Sequence, residues 1–104
     1  MKLSNPNECL SIEEVRENID KIDKKIIKLF AKRSEFVTAI VQFKTDAESV
    51  VAKERQKIVL NQIGDWAETK GLDRELYKTV YKMIIDKNVN HELNLLHKSD
   101  QEKK

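Results

Sequence analysis

Residues 11–44 read SIEEVRENIDKIDKKIIKLFAKRSEFVTAIVQFK. Ile12, Val15, Ile19, Ile22, Ile26 and Leu29 recur at alternating three- and four-residue steps, the spacing of one apolar face on an α-helix. The next position in that rhythm is Arg33, after which Phe36 and Ile40 resume it. A cation in a buried seam costs free energy unless an anion meets it, so Arg33 is a candidate contact for an acidic ligand. Ser11 and Glu14 make a capping box at the start of the helix, with Leu10 and Val15 spaced as a hydrophobic staple. Neither Gly nor Pro stands between Asn7 and Ile63, so nothing stops the helix before the polar stretch at Thr45. At 1.5 Å per residue such a helix is roughly 50 Å long. A compact domain of about 100 residues is only about 35 Å across. A second copy is therefore expected to cover the excess, as a two-fold dimer with interleaved helices.

Composition narrows the class. A chain of 104 residues makes one small domain, near the lower limit for a self-sufficient core. Its 20 Lys and Arg nearly cancel its 18 Asp and Glu, and the bases read as spread along the chain, so no nucleic-acid partner is expected. The lone Cys9 excludes an intrachain disulfide and fits a reducing, cytoplasmic location. Apolar runs of only a few residues give no signal peptide and no membrane span, hence no membrane partner. Scarce Gly and Pro, with Leu, Ile, Lys and Glu dominant, predict an all-α fold. Residues 98–104 read as a charged, disordered tail.

The remaining elements follow from their ends. The stretch TDAESVV, residues 45–51, is expected to be a short connection in which Ser49 or a neighbour caps a second helix. That helix is predicted over residues 51–70 with Val59, Ile63 and Trp66 inward, Lys70 in its last turn and Gly71 in the left-handed position after it. Asp73 then caps a third helix, residues 74–97, whose apolar face runs Tyr77, Val80/Tyr81, Ile84, Asn88, Glu92 and Leu95/Leu96. Asn88 and Glu92 interrupt that stripe one turn apart. The order is long, short, medium.

Several polar residues carry two readings each. Lys44 follows Arg33 by eleven residues, about three full turns, so both point to one side of the helix with Cα atoms roughly 16 Å apart. Together they can bracket a small dianion; separately, Arg33 can snorkel to Glu35, and Lys44 can be a lysine favoured by the helix dipole. Arg16 projects about 100° away from Arg33, either to pair with Asp20 or to reach a partner's pocket. Glu92 either pairs with Lys98 at the surface or brings a carboxyl to the interior, where burial favours its neutral, proton-donating form. Glu54 and Arg55 read as first-turn residues on a solvated face. His91 and His97 lack metal-ligand spacing, and Trp66, Tyr77 and Tyr81 read as core. With no glycine loop, no nucleophile beside a base and no zinc pattern, the expected chemistry works by charge and shape, without cofactor or metal.

VRENIDKIDKKIIKLFAKR, residues 15–33, resembles the opening helix of the all-α, class II chorismate mutases. Lys44 in QFKT, KER at residues 53–55 and GLD at residues 71–73 continue the resemblance in order. It runs over nearly the whole chain and defines a domain at residues 8–97. The short loop between Lys44 and Glu54, the NECL lead-in and the DWAE…GLD segment look most similar to the branch that includes the isochorismate-pyruvate lyases of salicylate synthesis. The resemblance implies an intertwined three-helix homodimer with two equivalent sites. Arg16 of one protomer would join Arg33, Lys44, Glu54 and Glu92 of the other around a small dicarboxylate, chorismate or isochorismate. Arg16 and Arg33 would hold the carboxylates, Lys44 and Glu92 the ether oxygen, and Glu54 the ring hydroxyl. Two departures stand out. Many relatives carry Gln where Glu92 stands. The usual mutase also has a longer loop, with an Asp near Val50 or Val51 and an Arg where Lys53 stands. The expected activity is conversion of chorismate to prephenate, as in Phe and Tyr synthesis. Isochorismate to salicylate plus pyruvate is the alternative, and a non-catalytic helical partner of a shikimate-pathway enzyme, or a bare interaction module, the reading from another class.

Overall fold

The apolar stripe forms the expected helix. In a computed structural model, which describes residues 2–44 and 46–102, helix α1 runs Ile12–Ala39. Its first turn is closed from both sides: Glu14 N–H donates to Ser11 Oγ at 3.1 Å, and Leu10 N–H donates to the Glu14 carboxylate at 3.0 Å. These bonds satisfy donors that a helix start leaves without intrahelical acceptors. Ahead of it, a 3-10 turn at Pro6–Glu8 is capped by Asn5, and Ser4 N–H donates to Asn18 Oδ1 at 2.9 Å, which ties the lead-in to α1. At its far end the helical path narrows into a second 3-10 turn, Ile40–Phe43, and stops at the extended Lys44.

Beyond Lys44 the expected plain connection contains a helix of its own. Asp46, and not Ser49, is the cap: its carboxylate accepts the Ser49 N–H at 2.7 Å and starts α2, Ala47–Val51. Ala52 then adopts the left-handed conformation (φ 44, ψ 57). It ends α2 by donating to Glu48 O at 3.0 Å and starts α3 by accepting from Gln56 at 3.0 Å. The single helix expected over residues 51–70 is thus divided at Ala52, with α3 running Lys53–Thr69. The opposite end matches expectation. Gly71 has φ +74, Gly71 N–H reaches Glu68 O at 3.0 Å and Leu72 N–H reaches Ala67 O at 2.9 Å, a Schellman closure. Asp73 caps α4 by accepting Leu76 N–H at 3.0 Å. Without Gly or Pro to stop it, α4 runs Arg74–Glu102, past the expected end at His97. The expected tail, residues 98–104, therefore falls on this helix up to Glu102 and lies outside the described residues thereafter.

The chain divides into two units, one ending at Phe36 and one beginning at Val37. In the second, the Ile40–Phe43 turn, α2 and α3 all pack on α4, around the buried Val50, Ala67 and Ile85. Small residues set the α3–α4 approach: a Cβ built on Gly64 would lie 2.8 Å from Arg74 Cζ. Arg74 crosses there to bond Asp65 at 2.6 Å and to approach Glu68 at 3.5 Å, which raises its pKa, the Asp65 bond most of all. Trp66 is a correction. Expected to face inward, it is 61 % exposed, because the approach runs over Gly64 and Ala67 and Trp66 lies about 100° round α3 from Ala67. The first unit is the lead-in and most of α1. Among its described residues it holds no second α-helix, and its stripe is open: Ile19 is 49 % exposed and Leu29 57 %. Every described element is helical or a turn, without strands, and no described helix is long and apolar enough to cross a membrane.

Candidate active site

The five candidate residues divide between the units. Arg16 and Arg33 stand on α1 in the first; Lys44, Glu54 and Glu92 belong to the second. Arg16 is exposed and Arg33 half-buried. Seventeen residues separate them, about 25 Å along one helix axis, so the two guanidinium groups of one α1 cannot converge on one small dianion. Glu35, the neighbouring acid considered for Arg33, pairs with Lys32 at 3.2 Å.

In the second unit the three remaining groups ride on elements that pack on α4 or on α4 itself. Lys44 is half-buried and follows the Ile40–Phe43 turn, its extended backbone fixed by an N–H bond to Val41 O at 3.0 Å. It adds to the field on Asp46, whose carboxyl is held below its ordinary pKa first by the Ser49 N–H and further by the Lys44 ammonium. Glu54 sits in the first turn of α3, where a carboxylate complements the helix dipole. Its side chain is 87 % exposed and lies 3.4 Å from Lys57 Nζ. Glu92 is the one buried charged residue of the described chain, at 6 % exposure, on the face of α4 that also carries Ile85 and the half-buried Asn88. No described group of three or more His, Cys, Asp or Glu residues could hold a metal. The arrangement supplies cations for anionic groups and a carboxyl in a low-dielectric setting, and the charges act by placement.

Two features escaped the sequence reading. The Glu54–Lys57 pair was legible as an i,i+3 spacing that the reading did not use. The bases, read as spread, are partly gathered: Lys2, Lys21, Lys24, Lys25 and Lys28 line one surface recess of the first unit. The i,i+3 and i,i+4 steps of the last four were the available signal, whereas the return of Lys2 along α1 was not.

By fold the chain is an all-helical domain whose candidate site is built from charged side chains alone. Residues 15–93 match the family described as chorismate mutase type II, and the chain belongs to that family. It is 31 % identical over 83 residues to the isochorismate pyruvate lyase of Pseudomonas aeruginosa, covering 80 % of this chain and 82 % of that protein. It is 26 % identical over 78 residues to the chorismate mutase of Methanocaldococcus jannaschii, covering 74 % and 79 %. A bifunctional chorismate mutase/prephenate dehydratase of Buchnera aphidicola subsp. Acyrthosiphon pisum is 32 % identical over 84 residues, 80 % of this chain but 22 % of that longer protein.

Proposed function

We propose that the chain is a chorismate mutase, converting chorismate to prephenate, and that its site is shared between two copies. The family match over residues 15–93 carries the reading. The reaction is a pericyclic rearrangement: the C–O bond of the enolpyruvyl ether breaks as a C–C bond forms, and negative charge develops on the ether oxygen. Lys44 and a protonated Glu92 would donate hydrogen bonds to that oxygen, stabilising the transition state more than the ground state. Arg16 and Arg33 would grip the two carboxylates and hold the compact reactive conformer, bidentate where geometry permits. Glu54 would take the ring hydroxyl. No covalent intermediate is required.

The dimer part of the proposal rests on α1. A stripe of Ile, Val and Leu left open in its own unit gains free energy by burial, and the about 25 Å between Arg16 and Arg33 supports a reading in which Arg16 serves a different copy's site. A cytoplasmic enzyme fits the single free cysteine.

A second reading has its own support. The Pseudomonas relative is a lyase by name, and its match extends over 82 % of its length. Val50, near the place of the usual hydroxyl-reading Asp, is buried here, 4 % exposed, and can bind no hydroxyl. Under this reading isochorismate would give salicylate and pyruvate in the same cage. Purified protein supplied separately with chorismate and isochorismate, with prephenate and salicylate measured by chromatography, tests both. Prephenate is expected from chorismate. Salicylate alone would move the chain to lyase activity, and no turnover of either substrate would overturn the enzyme reading.

A further inference from the structure

A second cavity lies in the second unit, between α3 and α4, with a volume of about 550 Å³. That falls in the size range that accepts small ligands, about 300–1,000 Å³. Its apolar lining is Val51, Leu60 and Val89, and its cations are Lys53, Lys57 and Lys82. One carboxylate, Asp86, also lines the cavity and pairs with Lys82, whose Nζ lies 2.8 Å from Asp86 Oδ1 and 3.3 Å from Gln56 Oε1. Lys82 thus meets two acceptors with donor capacity to spare, since an ammonium carries three N–H groups. The cavity is left with an excess of positive charge beside aliphatic surface. An acid with one charged end and an apolar body matches both.

We propose that this groove binds a small monocarboxylate with an apolar body, and that its occupation is coupled to Glu54 through Lys57. The coupling rests on the reading of Glu54 as a substrate contact. Lys57 lines the groove and pairs with Glu54 at 3.4 Å, and both side chains are largely exposed. Such a pair is weak and exchanges readily. A carboxylate in the groove competes for the Lys57 ammonium, and Glu54 is released toward the substrate hydroxyl. The groove thus acts on substrate binding without touching the substrate.

The full chain is titrated with benzoate and, separately, hexanoate, following the methyl resonances of Val51, Leu60 and Val89. Benzamide and inorganic phosphate serve as probes lacking the charge or the apolar body. The titration is repeated in Arg33→Ala, which removes a carboxylate holder from the candidate active site. The expected result is a groove shift with at least one of the two acids that persists in Arg33→Ala, weakens about tenfold in Lys82→Met and is blocked in Val89→Phe. Benzamide and phosphate should bind far more weakly. No shift with either acid, equal binding of benzamide or phosphate, or loss in Arg33→Ala with retention in Lys82→Met would overturn the site. In turnover, the groove acid should lower KM for chorismate about two- to fivefold, an effect absent in Lys82→Met. Lys57→Met should show the lowered KM without the acid and no further response. Groove binding with an unchanged KM would overturn the coupling. Groove binding in a chain with no turnover would overturn the enzyme reading and leave the groove standing.

Discussion

Gly64 and Arg74 show how one missing methyl group shapes the second unit. Alanine at position 64 would improve helix propensity by about 1 kcal/mol. It would also put its Cβ 2.9 Å from Arg74 Cγ, close to the backbone end of that side chain, so Arg74 must leave its bond to Asp65. The expected outcome for Gly64→Ala is a net loss of about 1 kcal/mol, or a Tm lower by about 4–8 °C. In an Arg74→Ala background the same change should reverse sign and raise Tm, which thermal unfolding of the four variants would show. Ala52 makes the opposite case. Its left-handed backbone costs about 1–2 kcal/mol for an L-residue, partly offset by the lower chain entropy of alanine, so Ala52→Gly should stabilise by about 0.5–1 kcal/mol in denaturant titration. At Glu92 the change concerns chemistry. A carboxylate cannot donate to an ether oxygen, so kcat/KM should fall as pH rises through the Glu92 ionisation, and Glu92→Gln should flatten that limb of the profile. The same pH dependence in the unaltered chain and in Glu92→Gln would remove Glu92 from the proposed mechanism.

At the scale of elements, α2 depends on Asp46. Its carboxyl has a lower pKa in the folded chain than unfolded, held down by the Ser49 N–H, so it stabilises α2 fully above the unfolded value. That contribution is lost as pH falls through the folded value. Asp46→Asn keeps a side-chain oxygen for the cap and should remove this acid-limb dependence, while Asp46→Ala should lose the cap at every pH. Native-state amide exchange at residues 48–51, compared near neutral pH and near pH 3, reads the difference. The sequence disclosed some of these elements and not others, for physical reasons. The starts of α1 and α4 and the end of α3 were legible because capping is local chemistry: Ser11 with Glu14, Asp73, Gly71. The break at Ala52 was not, since an alanine in the left-handed region carries no glycine or asparagine to announce it. Trp66 was misplaced because periodicity reports an apolar face but not which small residues, here Gly64 and Ala67, let a neighbouring helix come close.

For the whole molecule, the five candidate residues came together through the family resemblance and not through helical spacing, which left Arg16 and Glu54 on solvated faces. Glu92 is buried on the stripe to which periodicity assigned it. How Arg16 would come to any site was not legible in one chain, where α1 shows only an open stripe. The divided-site proposal is tested by mixing. Arg16→Ala and Arg33→Ala should each lose most activity, and exchange of the two should restore part of it through hybrid dimers that hold one intact site. Recovery no greater than that of the unmixed variants would overturn the shared site. Placing a charge on the stripe, as in Ile22→Asp, should shift the proposed dimer toward monomers in sedimentation and reduce turnover in parallel.

The spacing of two arginines on one rigid rod has a consequence for regulation. Under the proposed divided site, catalysis would exist only where two chains meet, so activity per chain would rise with the amount of protein until pairing saturates. Far below that point total flux would grow as the square of chain concentration. Halving expression would then cut output to about a quarter, and the helix that sets the distance would make the enzyme a gauge of its own abundance.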